Sequence, residues 1–129
     1  MEPNLRQDLI LCETDIEGAL HRLSGNESVY LSCLAMFLDD PTTKDLGDAI
    51  YAKNWDDAFT AAHALKGVAG NMGFIPLFHA TAEIVVFIRD GKINDVEASY
   101  RELLQCHQKI TTMIRDNLSN ANRPKGETV

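Results

Sequence analysis

The chain has 129 residues, 19 acidic against 12 basic side chains, a formal net charge of −7, and 45% hydrophobic and 24% charged residues. That is the size and composition of one globular domain able to bury its own core without a disulfide or metal staple. The acidity argues against a nucleic-acid partner, because no basic block offsets repulsion from phosphates, and neither a GxxxxGK[ST] loop nor a strand-linked GxGxxG occurs, so ATP and dinucleotide fingerprints are missing.

No apolar run approaches 18 residues, so no membrane span is expected. Residues Met1 to Asp8 lack the basic and then apolar regions of a secretory signal. Cys12, Cys33 and Cys106 are widely spaced and form no CxxC pair, which suits reduced thiols and a cytoplasmic location.

Residues 1–12 read as an N-terminal extension. A short first helix follows, marked by Ile16, Leu20 and Leu23, with Thr14 as its N-cap and Ser24-Gly25 as its stop. Asn26 caps a second helix carrying Tyr30, Leu34, Phe37 and Leu38. Kinked near Pro41, it resumes with Leu46, Ile50 and Tyr51 and spans 27–53. After Asn54, the residues Trp55, Phe59, Ala62, Leu65, Ala69 and Met72 recur at spacings of 4, 3, 3, 4 and 3, one apolar stripe along a helix over 55–72 that Gly73 would close. Trp55, Phe59 and Phe37 are most simply core residues.

Pro76 suits the first turn of a helix over 76–90, with Leu77, Thr81, Ile84 and Ile88 on its inner face. The last helix, 93–118, carries the seam Ile93, Val96, Tyr100, Leu103, His107, Ile110 and Ile114. Long amphipathic helices joined by short loops predict an all-α fold: an antiparallel up-and-down four-helix bundle over 13–120, with a short additional N-terminal helix and a polar tail at 121–129.

The helix over 55–72 holds the residues that packing alone does not require. At 100° per residue, His63 lies about 130° from the core direction, Gly67 about 170°, Gly70 about 110° and Lys66 about 70°. His63, Gly67 and Gly70 therefore share the outward face. Each glycine costs roughly 1 kcal/mol relative to alanine in a helix interior. A glycine one turn from an exposed histidine leaves the imidazole unshielded and lets a partner approach the backbone; close packing on a neighbouring helix is the other way to use such a glycine. From Ala58 to Ala82 there is no Asp or Glu, and Lys66 is the one formal charge. An exposed imidazole is mostly neutral at pH 7, keeps a lone pair on one nitrogen and can attack phosphorus without a separate base. His79 and Glu83 stand at i, i+4 but no second pair completes a metal site, so no metal is expected. His107 falls in the last helix's seam and reads as a packed residue.

Ala62-His63-Ala64-Leu65-Lys66-Gly67-Val68-Ala69-Gly70-Asn71-Met72-Gly73 resembles the motif of histidine-containing phosphotransfer (HPt) domains, roughly AHxLKG followed by a small residue and a glycine about ten positions after the histidine. The stretch from Asp15 to Gly25 is similar to that family's first helix, and Asn54-Trp55-Asp56-Asp57-Ala58 to the turn before its active helix. The resemblance covers about residues 13–118. It implies a phosphorelay protein in which His63 accepts the phosphoryl group, Lys66 neutralises it, and Ala62, Gly67, Gly70 and Asn71 meet the partner. That partner would be a response-regulator receiver domain, supplying the aspartate and Mg²⁺, with a hybrid sensor histidine kinase upstream. The carrier itself binds no ATP or other cofactor, lacks autokinase activity and is expected to be monomeric. One departure stands out: where several members place a glutamine opposite the histidine, this chain has Val85. A non-phosphorylated pseudo-HPt adaptor or inhibitor is the competing reading, and an unrelated helical enzyme or metal-binding bundle a third.

Overall fold

The computed structural model describes residues 1–121, and among them the regular structure is helical. Seven α-helices follow in order: α1 Pro3–Leu11, α2 Ile16–Arg22, α3 Glu27–Phe37, α4 Thr42–Tyr51, α5 Trp55–Met72, α6 Ile75–Arg89 and α7 Val96–Ala121, the last preceded by a 3₁₀ turn at Ile93–Asp95. The described residues contain no β-strand, only an isolated antiparallel bridge between Thr14 and Phe74. None of their helices is long and apolar enough to cross a membrane.

Helix α5 occupies the range its periodicity predicts. The Asn54 side chain accepts from the Asp57 amide (3.1 Å) and donates back to the Asp57 carboxylate (2.7 Å), so cap and first turn lock each other. Gly73 ends the helix in the left-handed region at φ 76°. Asn26 caps α3 as expected, through the Val29 amide at 3.1 Å. The cap of α2 is corrected from Thr14 to Asp15, whose carboxylate accepts from the Gly18 amide at 3.0 Å.

Two further differences concern whole elements. The single kinked helix expected over 27–53 is two helices, because the chain leaves helical hydrogen bonding after Phe37 and restarts at Thr42. Pro41, with no N–H to give, stands at the start of α4, and the Asp40 carboxylate accepts from the Thr42 amide at 2.8 Å. The N-terminal extension contains α1. Its Leu5 and Leu9, one turn apart, are buried, and the Asn117 amide on α7 donates to the Asp8 carboxylate at 2.8 Å. Ala121 still belongs to α7; the rest of the expected polar tail, 122–129, lies outside the described residues.

The helices close a ring. Helix α5 packs on α4 and on α6, α6 on α7, and α7 returns to α4, while α1 lies against α7. The core inside it includes Leu34, Leu46, Ala58, Ala62, Leu65, Leu77, Ile84, Leu103 and Ile114, all essentially inaccessible. Alanines at 58, 62 and 69 let the neighbouring helices come close to α5. Gly47 on α4 serves a similar end: a Cβ there would collide with the Tyr100 hydroxyl, which donates to the Thr43 carbonyl at 2.8 Å and ties α7 to α4.

Candidate functional site

Helix α5 is held at its C-terminal end by groups from three directions. The last carbonyls of a helix have no partner within it and carry partial negative charge. Here the buried Tyr30 hydroxyl donates to the Met72 carbonyl at 3.0 Å. The Arg22 guanidinium of α2 donates to the carbonyls of Gly70 (2.6 Å) and Asn71 (3.2 Å). The Asp15 amide donates to the Gly73 carbonyl at 2.8 Å. A Cβ on Gly73 would run into the Asp15 backbone carbonyl, so this corner requires glycine both for its positive φ and for its closeness. Burial, only partly opposed by Arg22, pushes the Tyr30 hydroxyl well above its ordinary pKa and keeps it a donor. The rotation of α5, and with it the direction of its outer face, is thereby set.

On that face His63 and Asn71 are exposed and Lys66 is half-buried. A Cβ built on Gly67 would meet nothing within 4 Å. The helix backbone is therefore bare one turn beyond the histidine. Ala62 is different from the expectation: its side chain is completely buried in the core, on the inner stripe with Ala58, Leu65 and Ala69, and has nothing to offer a partner. Gly70 is half-buried, and the ring of Phe78 on α6 lies 3.4 Å from where its Cβ would be. Its small size accommodates a ring within the protein.

Three side chains not singled out from the sequence as site residues belong to this region. Phe59, one turn before His63, is half-buried, and its ring stacks parallel to the imidazole with centroids 6.3 Å apart and planes 5° apart. Phe78 receives the Lys66 ammonium 5.6 Å from its ring centroid. Arg22 adds a second cation at the end of the same helix. Phe59 was legible in part, since i, i+4 spacing puts it above His63; Phe78 and Arg22 are brought in by tertiary packing that no local pattern encodes. Val85 is buried.

The charges around His63 are unevenly placed. Lys66 stands one turn away, and the nearest acid on α5 in the N-terminal direction is Asp57, about 9 Å along the axis. The opposite flank is acidic: a groove of about 570 Å³ between α4 and α5 is lined by Asp45, Asp48 and Asp57. The remaining titratable groups form no metal centre, in that no group of three or more His, Cys, Asp or Glu side chains converges among the described residues. His79 and Glu83 are both exposed. His107 packs against Phe37 with ring centroids 5.4 Å apart, and burial lowers its pKa while nearby Asp40 acts in the opposite sense. The three cysteines are free, and burial raises the thiol pKa of Cys12 and Cys106, the opposite of what an activated nucleophile needs.

No curated protein and no solved structure gives a significant match to this chain. The model of the Hpt domain family matches residues 34–115, which takes in the end of α3, all of α4, α5 and α6, and most of α7. Hpt domains are phosphocarrier modules of two-component phosphorelays and are not in general enzymes. With nearly two-thirds of its length matched, and with an exposed histidine on a helix of an all-helical fold, the chain belongs to the Hpt domain family.

Proposed function

We propose that the protein is a histidine phosphotransfer carrier, taking a phosphoryl group from the aspartate of one receiver domain onto His63 and passing it to another. The observation that carries this reading is the exposure of His63 beside an unobstructed Gly67, on an acid-free face that holds Lys66. The packing of α5 on α4 and α6, of α6 on α7 and of α7 on α4 supports reading these helices as an antiparallel four-helix bundle.

In the transfer, a lone pair on one imidazole nitrogen attacks the phosphorus. The new N–P bond forms as the P–O bond to the aspartyl carboxylate breaks, and the carboxylate leaves with the electron pair. The other ring nitrogen keeps its proton. The Lys66 ammonium meets charge on the equatorial oxygens from this side, Mg²⁺ held by the receiver would supply further neutralisation, and little further covalent work is needed. Gly67 and exposed Asn71 meet the receiver. A hybrid sensor histidine kinase would stand upstream, and the carrier would work as a monomer in the cytoplasm.

Incubation with phosphorylated receiver domains and Mg²⁺ tests this. Acid-labile phosphate should appear on the wild type and be absent from His63→Gln, with unchanged helical content. Receiver binding that survives His63→Gln without any labelling of the wild type would instead favour an adaptor that carries no phosphate, the reading that buried, aliphatic Val85 keeps in play.

A further inference from the structure

A phosphoacceptor imidazole must present one nitrogen along the line of attack, and a ring free to turn about its side-chain torsions loses much of the advantage of proximity. In this protein the side chains at hand to fix it are aromatic. The hairpin of α5 and α6 places buried Val85 near the level of His63, and neither Val85 nor Phe59 can form a hydrogen bond with the ring. The His63 ring instead lies parallel to the Phe59 ring, 5° between planes and 6.3 Å between centroids, within the range of offset stacks. Phe59 is itself fixed: it is half-buried against the core, one helical turn before His63.

A second aromatic acts on the cation. The Lys66 stem is flexible, and its ammonium stands over the Phe78 ring at 5.6 Å from the centroid, within reach of the ring's negative face. Phe78 in turn lies over Gly70, where a Cβ would come within 3.4 Å of two of its ring carbons. The chain of dependence runs from Gly70 to Phe78 to Lys66, and separately from Phe59 to His63. Lys66 and His63 are three positions apart, so the two aromatic contacts converge on neighbouring sites of one helix face.

Resting on the phosphotransfer reading above, we propose that Phe59 and Phe78 are positioning residues for that reaction, Phe59 holding the plane of the His63 imidazole and Phe78 holding the Lys66 ammonium beside it. Neither touches the phosphoryl group. Their effect belongs in the rate within the receiver complex and not in the affinity for the receiver, because both act on groups already on the chain.

The test compares wild type with Phe59→Leu, Phe59→Tyr and Phe78→Leu, all checked for unchanged helical content. Leucine keeps apolar bulk and loses the ring; tyrosine restores it. In the wild type the Phe59 ring should impose a ring-current shift on the imidazole proton resonances of His63, and in Phe59→Leu that shift should be lost. Phosphoryl uptake at saturating phosphorylated receiver should slow roughly two- to tenfold, the size an aromatic pair's geometric preference supports. Receiver affinity should stay the same, and Phe59→Tyr should recover both rate and shift. Phe78→Leu should slow uptake without altering the His63 resonances. Uptake by Phe59→Leu at the wild-type rate overturns the proposal for Phe59, and the same result for Phe78→Leu overturns it for Phe78. If no receiver labels even the wild type, the carrier reading is what fails. The rate at which phosphoramidate phosphorylates His63 then decides the positioning claim alone: a slower rate in Phe59→Leu and Phe78→Leu supports it, and an unchanged rate removes it.

Discussion

Gly67 and Gly73, six positions apart, have opposite reasons to be glycine, and substitution separates them. At Gly67 the backbone is ordinary helix with open space above it. A side chain there should stabilise the isolated protein, since glycine is up to about 1 kcal/mol worse than other residues in a helix interior. It should also obstruct a docking receiver. Gly67→Gln is therefore expected to raise the thermal midpoint slightly while lowering receiver affinity at least about tenfold, since one obstructing contact costs upwards of ~1.4 kcal/mol; calorimetry and titration read the two effects separately, and unimpaired binding would sink the access role. At Gly73 the left-handed φ and the Asp15 carbonyl leave no room for any side chain. Residue-scale legibility follows the same division. The outward direction of His63 and Gly67 could be read from 3.6-residue periodicity. Helical phase also put Gly70 on the outer face, but it could not say that a ring from α6 would lie there. Ala62 precedes the histidine in the motif, yet sits 100° round the helix from it, in the core.

The elements that were legible are those whose sequence marks both ends. Helix α5 has Asn54 before it and Gly73 after it, and a six-residue stripe between, so its limits could be read directly. The stretch Asn4-Leu5-Arg6-Gln7-Asp8-Leu9 shows one buried pair at i, i+4 in polar surroundings, too little periodicity to mark a helix, and α1 is formed by docking on α7. That docking should be energetically substantial. Leu9 is fully buried, so Leu9→Ala should destabilise by about 2–5 kcal/mol. Urea denaturation checks this, and a loss below that of an exposed site such as Leu11→Ala would show α1 to be an accessory. At Pro41 the sequence signalled a disturbance but not its extent: a kink and a break share the same missing N–H, and the Asp40–Thr42 bond decides for a break.

Across the whole molecule, charge and titration are distributed unevenly. Acids gather along α4 and the start of α5, while the span from Ala58 to Ala82 has none. His107 sits where α7 meets the end of α3, with Phe37 against its ring and Asp40 nearby. Its folded-state pKa lies below the unfolded value near 6.5, burial outweighing Asp40. Stability linked to it is therefore full above about pH 6.5 and declines as pH falls through the interval down to the folded pKa, because the unfolded chain takes up the proton first. Denaturation midpoints at pH 7.5 and 5.5 should differ less in His107→Gln than in the wild type. An equal difference in both would place the acid sensitivity on other groups.

The meeting of Asp15 with Gly73 joins parts of the chain that are far apart in sequence. Such a closure is entropically costly to make and forms only when both α2 and the α5–α6 corner are in place. An amide in a short connection ordinarily exchanges with solvent in a local fluctuation, but this one is released only when the corner comes apart. In hydrogen–deuterium exchange the Asp15 amide should be as slow as that of Leu65 in the middle of α5, well behind the amides of Glu13 and Ser24 in neighbouring turns. The last turn of the histidine-bearing helix is thus latched from outside, and loosening that latch would let the helix rotate before it unfolds.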